Sequence, residues 1–315
     1  MVKVEQGILV HIPCMDCSYK VILDILQRYT KYKLIPVLRS TGLLNISDTV
    51  FFYSSFHFLD DLNDIIWVDT KFSAKNIKIK KEFFPDAKVY VTSKWNKELV
   101  ESVGGHVDDI VPRVVDTHIA SKFTASIGGF RGYPSKTKKY DFVVIANTDK
   151  SVDHKNVLLT HKLLVDMNLR RRAVIVSNLD VADIKVFSLS EDDKYKLLAE
   201  SRFYLALSGS EGFGLPPVEA MAVGTIPIYL DAHAYAEWLK GFPVSYECKK
   251  EVVVDGLFMD YYKPDVKDVE RVIRSVLTMT DTDYEIISEE VRKYAMDTFR
   301  VEPILGKIFK PNLIS

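Results

Sequence analysis

The chain has 315 residues, 47% of them apolar and 27% charged, with a formal net charge of −1. That length allows two ordinary domains with real cores, and the near-neutral charge excludes a general affinity for nucleic acid or anionic lipid. Three cysteines make no disulfide framework. The start MVKVEQGILVHIPC lacks the basic-then-apolar order of a signal peptide. No apolar run approaches the roughly 20 residues that cross a bilayer, so a reducing, cytoplasmic setting is the expectation.

In the first half, short runs rich in β-branched and aromatic residues at 7–12, 33–38, 49–54, 65–69 and 88–92 predict strands. Most are apolar throughout instead of alternating, the pattern of parallel strands covered on both faces. Helical patterns at 18–29 and 94–103 separate some of them, the second stopped by Gly104-Gly105. Cys14 and Cys17 lie between the first strand and the first helix. Zinc would need two more ligands, and only Cys248 and His11 are on offer, so a tight loop is favoured over a metal site or a redox pair. The basic stretch from Lys71 to Lys88, with Lys75, Lys78, Lys80 and Lys81, reads as a solvated face. An anionic acceptor or a peripheral membrane contact is the minority reading of it.

From about 117 to 140 the pattern gives way to Gly128-Gly129, Arg131-Gly132, Tyr133-Pro134 and a run of lysines, which marks a boundary. The rhythm then restarts: strand 141–146, a helix from His154, strands 173–177 and 203–207, a helix from Pro216, and strand 226–230. Helices at 266–277 and 284–299 close the chain. The simplest architecture is α/β, two doubly wound domains facing across a cleft. The expected division is 1–120, a linker over 121–139, 140–282, and a helical segment over 283–315 that packs back toward the first domain. In such sheets ligands sit beyond the carboxyl ends of the strands.

The most informative stretch is 208–228. A strand ends at Leu207, a loop carries Gly212 and Gly214, and Pro216-Pro217 set a first helical turn, where a missing N–H costs nothing. Glycines let backbone approach a ligand, and the amides of a helix start attract an anion such as a diphosphate. Glu211 in the loop and Glu219 in the expected first turn are eight positions apart, near the same mouth. A carboxylate accepts from two vicinal hydroxyls at once, so the pair suits a ribose and a hexose on either side of a diphosphate. The bland alternative is a turn glycine and a dipole-complementing glutamate.

The full string favours the sharper reading. Ser210, Glu211-Gly212-Phe213-Gly214-Leu215-Pro216, Glu219-Ala220-Met221-Ala222, Gly224 and a proline-containing apolar strand resemble the donor-site signature of GT-B glycosyltransferases of the family 4 type. Asp153-His154-Lys155-Asn156 resembles the family's basic-Lys-Asn segment, whose lysine binds donor phosphates. Val89 to Ser93 with Trp95 resembles the end of the acceptor domain. Pro112-Arg113-Val114-Val115-Asp116 resembles the hinge, and 259–277 resembles a late strand-and-helix segment. The resemblance is specific over about 88–277.

The resemblance implies a GT-B fold with an acceptor-side first domain and a second domain that binds a nucleotide sugar. The implied activity is hexosyl transfer from a UDP- or GDP-sugar to an acceptor hydroxyl, with retention, the acceptor being carbohydrate, lipid-linked or protein. Lys155 and the amides of Gly212, Phe213 and Gly214 would hold the diphosphate, Glu211 the transferred sugar and Glu219 the ribose. Ser210, Leu215 and Asn147 would line the donor site. No metal or other cofactor is expected. Asp60-Asp61 and Asp192-Asp193 lack the Asp-x-Asp spacing of the other glycosyltransferase fold, and GT-B enzymes stabilise the leaving diphosphate with amides, Lys and Arg.

Two departures stand out. Where the family carries Gly-Arg after the first strand of the donor domain, this chain has Ala146-Asn147, leaving Lys150, Arg131 and Arg113 as unranked candidates for the missing charge. Pro13 to Cys17 replace the family's glycine-rich loop. His57 is a weak candidate for the sugar or acceptor and Asp69 a weaker one, each weighed against an ordinary structural role. Arg170-Arg171-Arg172 is expected to reach water. The rival functions are another GT-B enzyme, such as a sugar-nucleotide epimerase, and a non-catalytic nucleotide-sugar-binding subunit.

Overall fold

Short apolar runs separated by helical stretches bury their side chains most readily as a sheet covered by helices, and this chain does so twice. A computed structural model describes residues 7–12, 18–30, 33–38, 49–52, 65–76, 88–125, 138–148, 152–186, 189–254 and 256–308. The chain divides into one unit of Met1–Val115 with Phe299–Ser315 and another of Asp116–Thr298. Among the described residues no helix is long and apolar enough to cross a membrane. Cys14, Cys17, His57, Asp60, Asp61, Arg131 and Lys150 lie outside them.

The first unit contains β1 (Gly7–Ile12), α1 (Ser18–Gln27), β2 (Lys33–Leu38), β3 (Thr49–Phe52), β4 (Ile65–Val68), β5 (Lys88–Val91), α2 (Lys94–Ser102) and β6 (Asp109–Ile110). Its sheet order is β2-β1-β3-β4-β5-β6. β3 runs antiparallel to both β1 and β4, while the other pairs are parallel. The sheet is therefore mixed where the apolar runs predict parallel strands, because a run of four residues carries no information on direction. The Ser93 hydroxyl accepts from the Asn96 N–H at 3.2 Å to start α2. The helix stops where Gly104 takes φ of +79°, a value glycine adopts freely.

The second unit contains α3 (Thr117–Ala125), β7 (Tyr140–Ile145), α4 (Val157–Asp166), β8 (Ala173–Ser177), β9 (Ile184–Lys185), α5 (Glu191–Ala199), β10 (Ser201–Ala206), α6 (Leu215–Ala222), β11 (Ile226–Leu230), α7 (His233–Trp238), β12 (Phe242–Val244), β13 (Tyr246–Val254), β14 (Leu257–Pro264), α8 (Val266–Leu277) and α9 (Asp281–Thr298). Six parallel strands form a sheet in the order β12-β11-β10-β7-β8-β9. From β7 the chain builds outward to β8 and β9, then returns to β10 on the other side and builds outward again. Phe142, Val143, Phe203, Leu205, Ile226 and Ile228 are buried in its centre. Each such side chain contributes about 1.5–3 kcal/mol relative to exposure. α3, in the stretch where the sequence pattern fades, packs on α5 and α6. β13 and β14 form an antiparallel hairpin outside the main sheet.

The chain re-enters the first unit with α10 (Val301–Ile308). There the Tyr90 hydroxyl donates to the Lys307 carbonyl at 3.0 Å, and the Val115 N–H donates to the Phe299 carbonyl at 2.9 Å.

Candidate active site

β7 and β10 are parallel neighbours, so the chain leaves their carboxyl ends side by side, after Ile145 and after Ala206. The strand order reverses between these two strands, which is where open parallel sheets form a ligand crevice. The loops are stitched together. The Gly209 N–H donates to the His154 carbonyl at 2.8 Å, and Asn156 Nδ2 donates to the Leu207 carbonyl at 2.7 Å. The Asp153 carboxylate accepts from the Val157 and Leu158 N–H groups at 3.0 and 2.7 Å, which starts α4. Asn156 turns the chain at φ of +56°, a region asparagine enters more readily than most residues.

This stitching delivers Lys155 to Glu211. Their ammonium and carboxylate form an ion pair, with side chains 20% and 12% exposed. Burial alone would raise the Glu211 carboxyl, but the charge and hydrogen bond of Lys155 outweigh it and hold it down to about 2. Tyr235 of α7 brings its hydroxyl to the same Oε1 at 3.4 Å. Beside it, burial lowers the His233 imidazole to about 4, so the ring is neutral at pH 7. Its Nε2 faces the Ser208 carbonyl at 3.0 Å, and its Nδ1 accepts from the Tyr235 N–H at 3.4 Å. One neutral tautomer, protonated at Nε2, satisfies both contacts.

Gly214 caps α6 at φ of +87°, and a Cβ placed on it would lie 2.2 Å from Cε1 of Tyr235. Backbone and neighbour both demand glycine there. Ser210, Phe213 and Leu215 are buried, so their side chains shape the loop from inside. The β13–β14 hairpin walls the same loop. The Tyr262 N–H donates to the Gly209 carbonyl at 2.8 Å, and the Tyr261 hydroxyl donates to Asn156 Oδ1 at 2.5 Å. A Cβ on Gly209 would lie 2.3 Å from the Tyr261 ring.

Glu219 lies deeper in α6 than expected. The helix begins at Leu215, so Glu219 falls in its second turn, and its side chain is 0% exposed. Its Oε1 accepts from Lys194 of α5 at 2.7 Å, and Lys194 also reaches Glu191 at 2.8 Å. Burial pushes the Glu219 carboxyl up to about 7 against the pull of Lys194. Oε2 of Glu219 and Oε2 of Glu191 have no hydrogen-bond partner among the described residues.

Other expected residues fall as follows. Asn147 is half-buried just beyond β7, next to Thr148, which exchanges hydrogen bonds with the Asn178 amide at 3.1 and 2.8 Å. Arg113 and Asp69 are buried and ion-paired with each other in the first unit. Each of these two candidates is thus engaged by the other. Of the three arginines before β8, Arg171 and Arg172 are exposed as expected, Arg172 while pairing with Asp141, and Arg170 is half-buried and binds Asp183 at 2.7 Å. Among the described residues no group of three or more His, Cys, Asp or Glu is placed to hold a metal.

Sequence reasoning missed Tyr235, His233, Tyr261 and Lys194. The first two were within reach. The rule that placed the site beyond β7 and β10, applied to β11 as well, points at 231–235.

The comparisons with known proteins agree with this geometry. Residues 177–293 match the glycosyl transferases group 1 family. Glycosyltransferase 41 of the Sulfolobus islandicus filamentous virus is 32% identical over 287 residues, 90% of this chain and 81% of that protein. Glycosyltransferase 48 of the same virus is 34% identical over 248 residues, 78% and 76% of the two chains. Among solved structures, Anabaena HepE in complex with UDP and glucose matches with a TM-score of 0.59 at 14% identity, over 95% of this chain and 90% of that one, a likeness of fold.

Proposed function

The chain belongs to the glycosyltransferase family of its two viral relatives and has the GT-B fold, and from that premise we propose that it moves a hexose from a UDP- or GDP-sugar to an acceptor hydroxyl with retention, in the manner of the family 4 type. The observation that carries this reading is the Lys155–Glu211 pair at the point where the donor-side sheet reverses. It supports the reading because a cation and a carboxylate, groups suited to a diphosphate and a sugar, stand together where such sheets form a ligand crevice.

In the reaction, the Lys155 ammonium and the amides of Gly212, Phe213 and Gly214 take the negative charge that grows on the diphosphate as the glycosidic bond breaks. Glu211 orients the sugar through its hydroxyls. Glu219 takes the ribose, on the strength of its unpartnered Oε2: a buried acceptor left unsatisfied costs about 1–3 kcal/mol, which a ribose hydroxyl would recover. Among the described residues no second carboxylate stands out as a nucleophile, so the departing phosphate oxygen accepts the proton of the incoming hydroxyl on the same face. That is the route to retention, and it differs from the two-carboxylate scheme of glycoside hydrolysis. The acceptor is a carbohydrate, a lipid-linked sugar or a protein.

The test is to incubate the purified chain with a panel of UDP- and GDP-sugars and candidate acceptors. Released nucleoside diphosphate is then quantified and the anomeric configuration of the product read by NMR. Transfer with the donor's configuration kept supports the reading. An inverted product would remove retention, and interconversion of the sugar nucleotide without any acceptor would replace transfer by epimerisation.

A further inference from the structure

Lys155 and Tyr235 both address Oε1 of Glu211. On the proposed reading, the lysine has a second customer. When a diphosphate arrives, the ammonium swings toward it, and a carboxylate that was held by a charged partner loses that partner as the sugar must be gripped. We propose that Tyr235 is the positioning residue that keeps Oε1 of Glu211 in place through this exchange, leaving Oε2 to accept from the sugar hydroxyls. The inference rests on the donor-site reading above and adds a residue to it.

Three features suit Tyr235 to this role. Its ring cannot follow the lysine, because it is 3% exposed and fitted against Gly214 so closely that a Cβ there would lie 2.2 Å from it. The ring is braced from behind by His233, with centroids 4.7 Å apart, and the Tyr235 N–H donates to His233 Nδ1. His233 is fixed in turn by the Ser208 carbonyl at 3.0 Å, in the donor loop itself. Burial, reinforced by the charge of Glu211, raises the phenol well above its usual range, so it remains an O–H donor at any working pH. A neutral donor of fixed position can hold a carboxylate without competing for the diphosphate.

Tyr235→Phe tests this, since it keeps the ring against Gly214 and removes only the hydroxyl. Three quantities are measured for wild type and variant: kcat and KM for the sugar nucleotide, the Kd of free UDP or GDP by calorimetry, and kcat against pH. The expected result is a fall in kcat of roughly ten- to a hundredfold, the scale of small misplacements in an active site. The Kd of free UDP or GDP should stay within about twofold. The acid limb of kcat should move to higher pH, because Glu211 loses a hydrogen bond to its charged form. Unchanged kcat and acid limb would overturn the inference. So would a loss of nucleotide binding that matches the loss of kcat, which would make Tyr235 a structural support of the loop. If the wild-type protein binds neither UDP nor GDP, the donor-site reading itself falls first.

Discussion

Lys155 and Glu211 reach each other from loops on opposite sides of the point where the second unit's sheet reverses its strand order, and there they neutralise one another. A diphosphate that binds Lys155 must therefore compete with a carboxylate of the same chain. In the proposed reaction the donor's arrival releases Glu211 toward the sugar, so binding and sugar orientation are coupled through one ammonium.

Glu211→Gln should tighten the binding of free UDP or GDP while slowing turnover. The amide no longer claims the charge of Lys155, and a gain of about 1 kcal/mol corresponds to about fivefold in Kd. In a Lys155→Ala background the same substitution should give no gain, and calorimetry of the four proteins checks this. Equal or weaker binding by Glu211→Gln would show that the ion pair does not oppose the nucleotide.

Lys194→Met should destabilise the second unit by about 3–5 kcal/mol, the usual cost of stranding one partner of a buried ion pair. Lys194 touches both Glu191 and Glu219, and Glu219 has no exposure to water that could compensate. Adding Glu219→Gln removes the stranded charge and should restore part of the loss in urea unfolding. Strictly additive losses would mean that the two residues are not coupled.

The outline of this site was legible in the sequence, and its supports were not. The loop from Ser210 to Leu215 announced itself by two glycines followed by two prolines, and α6 begins one residue before Pro216. α8 runs over the residues its pattern marked, because a strong apolar stripe coincides with the Asp265 cap. The direction of β3 had no local signal. The β13–β14 hairpin was hidden because Lys249, Lys250 and Glu251 leave most of β13 exposed, with little alternation to read. Tyr235 and Lys194 act through contacts 24 and 25 residues away in sequence, which no spacing rule covers. Glu219 lies one turn further into α6 than its spacing from the prolines suggested, and its partner Lys194 comes from α5.

Gly214→Ala should lower both stability and turnover, and Gly104→Ala should lower stability alone. Both positions have positive φ, +87° and +79°, which costs an alanine about 1 kcal/mol. At Gly214 the new methyl also strikes the Tyr235 ring, whereas nothing lies within 4 Å at Gly104. Thermal melts and donor kinetics of the two variants separate strain from collision. Equal effects on activity would argue against the Gly214–Tyr235 fit.

Between about pH 6.5 and 4 the folded protein should lose stability on account of His233. Burial depresses its folded value to about 4, against an unfolded value of about 6.5. Its contribution is therefore complete above pH 6.5 and is lost as the pH falls to about 4, by an amount on the order of 3 kcal/mol. His233→Asn, which tolerates the φ of +44°, should flatten the unfolding free energy over this window. The depressed carboxyl of Glu211 loses its contribution lower, between about pH 4.3 and 2, so the two windows meet only near pH 4. An unchanged slope in His233→Asn would assign the loss to other groups.

The central claim is that Lys155 and Glu211 carry sugar transfer, and the most direct test is the rate of nucleoside diphosphate release from a UDP- or GDP-sugar by wild type, Lys155→Ala and Glu211→Gln, each with acceptor present and excess chelator added. The account predicts turnover by the wild type in chelator and a fall in kcat on the order of 100-fold or more for both variants, the scale seen when a preorganised electrostatic group is removed. Near-normal turnover by either variant, or wild-type activity that vanishes in chelator and returns with Mn²⁺ or Mg²⁺, would contradict it.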